Sequence, residues 1–254
     1  MLGLVQGLTE FIPISSSGHL VIAQSLFGRS SEHLFLEAIN IGTFLALVVY
    51  FAPKITQIIK NVFINRDVKL ARNIVITSVP AGLVGFFLSD FIDKTAFFGS
   101  LIVVMVTLAV VGVVMVKLES LPKLSPVKSG TELSSFRAFM IGLAQMLALI
   151  PGVSRSGATI ITGRLSGLSA KEAAEYSFLA SLPIMLGVTL KVFIFNSDYI
   201  LDHAGYLFIG NLVAFVSGLL AVGLLMRYLA RHSLAVFGWY RIGLAAVIGL
   251  VILV

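Results

Sequence analysis

From residue 6 to residue 19 the chain reads Gln6-Gly7-Leu8-Thr9-Glu10-Phe11-Ile12-Pro13-Ile14-Ser15-Ser16-Ser17-Gly18-His19, which sets an amide, a carboxylate, consecutive seryl hydroxyls and an imidazole in apolar surroundings. Gln6 and Glu10 are four apart and share one helix face. Pro13 interrupts that helix. Ser15, Ser16, Ser17 and Gly18 then open a new one. A serine-rich helix start offers hydroxyls and unpaired backbone N–H groups, which suit an anion such as phosphate. His19 lies one turn into this helix, where an imidazole can serve as general base, general acid or nucleophile. Glu10 also offers the oxygen ligand that Mg²⁺ or Ca²⁺ prefers.

A related segment, Gln145-Met146-Leu147-Ala148-Leu149-Ile150-Pro151-Gly152-Val153-Ser154-Arg155-Ser156-Gly157-Ala158-Thr159, follows downstream. Arg155 is a planar, permanently charged phosphate binder. An unpaired arginine at bilayer depth costs about 2.5–3.5 kcal/mol or more, which an anionic ligand or Glu10 would offset. Together the two segments hold a set suited to phosphoryl transfer: Glu10, Ser16, His19 and Arg155 for the chemistry, with Ser15, Ser17, Ser154, Ser156 and Thr159 around the anion. Capping of helix ends is an equal reading for Ser15, Ser17 and Ser156. Gln145 reads as a bridge between helices. Glu37 and Asn40 either line the site or bond across helices. Arg241, inside the last apolar stretch, reads as snorkelling to the cytoplasmic interface beside Trp239 and Tyr240. His33, His203 and His232 read as surface histidines.

The elements that must position these groups follow from composition. The chain is 58% hydrophobic and 12% charged, and it lacks cysteine. That describes an all-α polytopic membrane protein, and it excludes disulfides and thiolate metal sites. The Met1 start has neither the basic region nor the cleavage site of a signal peptide. The net charge of +6 sits in particular loops, so it implies membrane orientation and no nucleic-acid partner. Spans are expected at roughly 34–53, 70–89, 96–116, 175–196, 204–226 and 233–254. Segments 1–28 and 136–168 are broken by Pro, Gly and Ser, and each half is shorter than the roughly 20 residues of a crossing helix. They fit re-entrant hairpins.

Lys54, Lys60, Arg66, Lys69 and Arg72 assign one loop to the cytoplasm, as Lys117, Lys123, Lys128 and Arg137 do for 117–135 and its flank. The loops with Asp90, Asp93 and Lys94, and with Asp198, Asp202 and His203, then lie outside. On this topology the two hairpins dip in from opposite faces. Aligning Ser15 with Ser154 also matches Gly3 to Gly142, Gln6 to Gln145, Ser17 to Ser156 and Gly18 to Gly157. The expectation is an inverted-topology repeat within one membrane domain, its halves about 1–116 and 136–254, with one composite site between them.

Gln6-x-x-x-Glu10 with Pro13-Ile14-Ser15-Ser16-Ser17-Gly18-His19, and Pro151-Gly152-Val153-Ser154-Arg155-Ser156-Gly157-Ala158-Thr159, resemble the two motifs of the bacterial undecaprenyl-diphosphate phosphatases, also called bacitracin-resistance proteins. The resemblance covers nearly the whole chain. It implies hydrolysis of undecaprenyl diphosphate to undecaprenyl phosphate, which recycles the lipid carrier of cell-wall synthesis. It implies a divalent cation (Mg²⁺ or Ca²⁺), a polyprenyl diphosphate substrate in the bilayer of the inner (plasma) membrane, and a site open to the outside. Whether the chain forms a homodimer stays open. The resemblance gives Glu10 the acid or metal role with Gln6 at the partner position, Ser16 or His19 the nucleophile's, and Ser154, Arg155 and Thr159 the diphosphate. Gln6 leaves Glu10 as the motif's one carboxylate, and Glu37 would compensate as a metal ligand. The alternative function is a lipid-phosphate flippase using the same midplane site, since inverted repeats with broken helices are also transporter architecture.

Overall fold

A computed structural model describes residues 1–27, 33–88, 91–92 and 95–253, and every regular element among them is helical. The two broken segments appear as pairs of short helices. α1 (Leu2–Phe11) and α2 (Ser16–Phe27) flank the first break. The helices α3 (His33–Tyr50), α4 (Ala52–Phe63), α5 (Lys69–Phe87) and α6 (Leu101–Lys117) follow. The second break separates α7 (Ser135–Met146) from α8 (Arg155–Leu165). The chain closes with α9 (Ala170–Phe195), α10 (Ser197–Asp202), α11 (Ala204–Leu229) and α12 (Ala235–Leu253). At 10 to 12 residues each, the half-helices reach about 15–18 Å, roughly half of a hydrocarbon core.

Among the described residues α5, α6, α9, α11 and α12 are long and apolar enough to cross a membrane. They bear exposed Phe86, Phe193, Leu224 and Val247 on their outer faces, as helices do when lipid is the solvent. Serines set several starts: the hydroxyls of Ser134 and Ser169 accept the N–H groups of Arg137 and Glu172 at 3.3 and 3.2 Å.

Three expected boundaries change, the first being that of α9, which begins at Ala170, five residues before the expected 175. The expected 96–116 span begins at Leu101, after a single tight turn over Ala96–Gly99. The basic stretch after the 34–53 span is no plain loop. Pro53, in the first turn of α4, starts a new helix there, bent 69° from α3. Its Ile55 and Ile58 pack on the main core while Gln57 and Lys60 face outward. The expected external charges Asp90, Asp93 and Lys94 lie outside the described residues, as does the side chain of His33.

α1 lies along α11 and α7 along α5. Both contacts are close because glycines make them: Gly3 faces the Gly210 carbonyl, and Gly142 faces Thr77, with no room for a Cβ. α3 and α9 run side by side, with Lys191 of α9 on Glu37 of α3 at one end (3.3 Å) and, at the other, Lys54 of α4 on Glu175 of α9 (2.9 Å). Between these ties the core includes Phe11, Phe51 and Phe178, with Phe11 set edge-on to Phe178 at 5.6 Å. α6 packs on α12. The breaks therefore end inside the bundle, where loose backbone polar groups must find protein partners.

Candidate active site

At the first break α1 stops one residue short of Ile12, and Pro13 forbids its continuation. Ser15 then takes a left-handed φ of 76°, rare for a residue with a Cβ. That turn lets the Ser15 hydroxyl accept the Gly18 N–H at 3.3 Å and lie 3.2 Å from the Ser17 hydroxyl. α2 thus opens with Ser16 pointing back at α1. The Ser16 hydroxyl donates to Glu10 Oε2 at 2.6 Å, and Gln6 Nε2 donates to the same oxygen at 2.9 Å. Gln6 also donates to Asn40 Oδ1 on α3. So Asn40 joins the site, while Glu37, one turn away, is engaged by Lys191.

The second break copies the backbone with other side chains. Ser154 has φ 75°, its hydroxyl accepts the Gly157 N–H at 3.1 Å, and the Ser156 hydroxyl lies 3.1 Å away. Arg155 is the half-buried member of this otherwise buried run, and its Nη2 meets Glu10 Oε1 at 2.6 Å. One carboxylate therefore holds the hydroxyl of the first break on one oxygen and the guanidinium of the second on the other. Glu10, Ser16 and Arg155 converge as the sequence leads one to expect. Thr159 turns away from this cluster, 2.5 Å from the Ser177 hydroxyl. Gln145 bonds the Thr77 carbonyl of α5 at 3.3 Å and acts as a helix bridge.

His19 lies apart from Ser16 in bonding terms. Its Nδ1 is 2.7 Å from the Ser15 carbonyl and its Nε2 is 2.7 Å from the Tyr240 hydroxyl.

Arg241 corrects the sequence reading most sharply. It does not snorkel; it is wholly buried. Its Nη1 donates to the Pro13 carbonyl at 3.0 Å, and its Nη2 donates to the carbonyls of Gly152 and, at 2.8 Å, Val153. One guanidinium on α12 therefore ties both breaks together. No residue type at those carbonyl positions announces the bond; the one signal is an arginine too deep in an apolar helix.

Among the described residues no three His, Cys, Asp or Glu side chains gather as a metal site would. The oxygens gathered near Glu10 are its own carboxylate, Asn40 Oδ1 and the Ser16 hydroxyl, while Gln6 presents its amide nitrogen and Arg155 its guanidinium. Such a sparse set fits Mg²⁺, which commonly takes one or two carboxylates and fills its shell with water and substrate phosphates.

Fold and site together define an integral-membrane protein whose two helix breaks bring a hydroxyl, a carboxylate and a guanidinium together. Residues 1–247 match the family described as bacitracin resistance protein BacA, and the chain belongs to that family. It is similar to proteins named undecaprenyl-diphosphatase from three bacteria. The Acinetobacter baumannii protein is 38% identical over 253 residues, 97% of this chain and 92% of the relative. The Nitrosospira multiformis protein is 36% identical over 252 residues, 98% and 92% of the two chains. That of Flavobacterium psychrophilum is 38% identical over 249 residues, 95% and 90%.

Proposed function

We propose that this protein is a membrane phosphatase that converts undecaprenyl diphosphate to undecaprenyl phosphate and inorganic phosphate, returning the carrier to cell-wall synthesis. The observation that carries the reading is the shared Glu10 carboxylate, with the Ser16 hydroxyl at 2.6 Å on one oxygen and Arg155 at 2.6 Å on the other. Relatives named for a diphosphatase favour hydrolysis over lipid transport.

Without substrate, Glu10 and Arg155 neutralise each other. An arriving diphosphate competes for Arg155 and frees Glu10 to act as a base. Ser16 Oγ then attacks the terminal phosphorus as its proton passes to Glu10. The bridging P–O bond breaks, and its electron pair leaves with undecaprenyl phosphate. Glu10 gives that proton to the departing undecaprenyl phosphate. Its restored carboxylate then takes a proton from a water that attacks the phosphoserine phosphorus, the P–Oγ bond breaks, and Glu10 returns the proton to Ser16 Oγ as inorganic phosphate leaves. Arg155 compensates charge on the phosphoryl oxygens throughout. Ser16 is favoured over His19 as nucleophile because both His19 nitrogens are engaged elsewhere. A Mg²⁺ or Ca²⁺ ion, held by Glu10 with the Gln6 and Asn40 amides, would supply charge neutralisation to the diphosphate.

The polyprenyl tail is expected to lie along the exposed apolar helix faces. An inverted repeat with two re-entrant hairpins is supported by the matching backbone of the two breaks and by the paired glycine contacts of α1 and α7. The basic residues 54–72 and 117–137 support a plasma-membrane protein with that side in the cytoplasm and the site open to the opposite face.

The test is phosphate release from undecaprenyl diphosphate by protein in nanodiscs, with and without a chelator. Wild type should turn over and Ser16→Ala should not. Near-normal turnover by Ser16→Ala removes Ser16 as nucleophile. Lipid translocation without phosphate release, scored in proteoliposomes, sinks the enzyme reading.

A further inference from the structure

The two breaks are tethered unequally. Arg241 makes two bonds to the second break, at Gly152 and Val153, and Thr107 adds a third at the Pro151 carbonyl, 2.7 Å away. The first break receives one bond from Arg241, at Pro13. Yet it must hold the same left-handed serine conformation, with φ 76° at Ser15, and it carries the reactive hydroxyl next to that turn. What steadies Ser15 is His19, whose Nδ1 is 2.7 Å from the Ser15 carbonyl. The second break has Ala158 at the matching position and relies on its extra tethers.

A carbonyl oxygen only accepts, so Nδ1 must carry the proton. In the neutral ring Nε2 is then a bare acceptor, and the Tyr240 hydroxyl 2.7 Å away donates to it. The two rings lie nearly parallel, 8° apart with centroids 5.7 Å apart. Tyr240 sits beside Arg241 on α12, so the helix that grips the backbone of both breaks also sets the imidazole.

We propose that Tyr240 is a positioning residue of this site: by donating to Nε2 it fixes His19 in the Nδ1–H form, which braces the Ser15 turn and so aims Ser16 at Glu10 and the phosphorus. This rests on the phosphatase reading for its kinetic consequence, but not for the contact itself. It makes α12 part of the catalytic apparatus through two adjacent residues, with Arg241 acting on backbone and Tyr240 acting through a side chain.

Tyr240→Phe keeps the ring and removes one oxygen. Turnover is expected to fall about tenfold, the scale of one hydrogen bond, with KM nearly unchanged. In a His19→Ala background the same substitution should cause no further loss. Nitrogen-15 NMR of the full chain in detergent micelles, assigned through His19→Ala, should find His19 in the Nδ1–H form in wild type and as a tautomer mixture in Tyr240→Phe. Unchanged turnover in Tyr240→Phe overturns the proposal, as do independent losses from the two substitutions or an Nε2–H ring in wild type. The wild-type spectrum fixes the tautomer even if the variant fails to fold. A wild type that releases no phosphate removes the phosphatase reading, and the NMR arm still decides whether Tyr240 sets the imidazole.

Discussion

At the first break Ser15 sits at φ 76°, and at the second Ser154 sits at φ 75°. Each caps the N–H three residues on, and each lies beside the hydroxyl two residues on. Among the columns at which the two segments differ, three carry the chemical groups. Ser16 stands opposite Arg155, Glu10 opposite Leu149 and His19 opposite Ala158. The first break therefore carries acid, hydroxyl and imidazole, with Ser16 half-buried and Ser17 exposed; in the second, residues 151–159 are buried except for Arg155. Repeating a helix break supplies two donor-rich helix starts. Making them unlike puts the Ser16 hydroxyl and the Arg155 guanidinium on separate segments that meet at one carboxylate.

The largest expected effect breaks the column of Ser16 and Arg155. Ser16→Ala should lower turnover by about 10³-fold or more, the scale of losing a nucleophile. Ser17→Ala, on the same helix start, should keep most activity. Phosphate release from the lipid diphosphate checks both. Equal losses at the two serines would mean that the serine run acts as a diffuse anion cradle with no distinct nucleophile.

Next comes the Glu10 column. Glu10→Gln should cost about 10²–10³-fold in turnover, as loss of a general base does, and it leaves Arg155 without its counter-charge at depth. Adding Arg155→Gln should restore part of the thermal stability while turnover stays low. The paired melting curves and rates separate a structural ion pair from a chemical one. If the double variant recovered neither, the stored Glu10–Arg155 pair would not be what holds the two breaks together.

Arg241→Leu should act on both breaks at once. Three carbonyls would lose their donor, each costing about 1–3 kcal/mol when buried and unpaired, so the melting temperature and the activity should fall together. Arg155→Lys should instead cost activity with little change in melting, since a lysine keeps the charge beside Glu10 but loses the planar fork. Thermal unfolding in detergent beside turnover checks the contrast.

Much of this arrangement is legible in the residues. A carboxylate and an arginine at bilayer depth need each other or a ligand, and Glu10 and Arg155 do pair. The Ser-x-Ser-Gly match between the breaks carries over into matching backbone. Arg241 misleads because its partners are carbonyls of Pro13, Gly152 and Val153, groups that every residue possesses and no sequence pattern marks. Helix α4 hides behind Lys54 and Lys60, which read as loop charges, although Ile55, Ile58, Ile59 and Val62 recur at helical spacing. The bond from Tyr240 to His19 joins residues 221 positions apart, and such pairings emerge only once the helices are packed.

The smallest expected effect tests whether the two breaks are one backbone design. Ser15→Gly and Ser154→Gly each remove a cap worth about 0.5–2 kcal/mol, though glycine itself is a tolerated cap. Each also relieves a left-handed residue whose Cβ costs about 1–2 kcal/mol. The terms oppose, so each variant should change stability by under about 1 kcal/mol, with the same sign at both sites. Ser15→Val and Ser154→Val lose the cap and add a β-branch where φ is positive, so both should destabilise clearly. Matching effects in all four melting curves would mean that the breaks share one energetic origin and differ only in what they carry. A Ser15 series milder than the Ser154 series would mean that the first break owes its shape mainly to the His19 brace, and that its serine is there for chemistry more than for the turn.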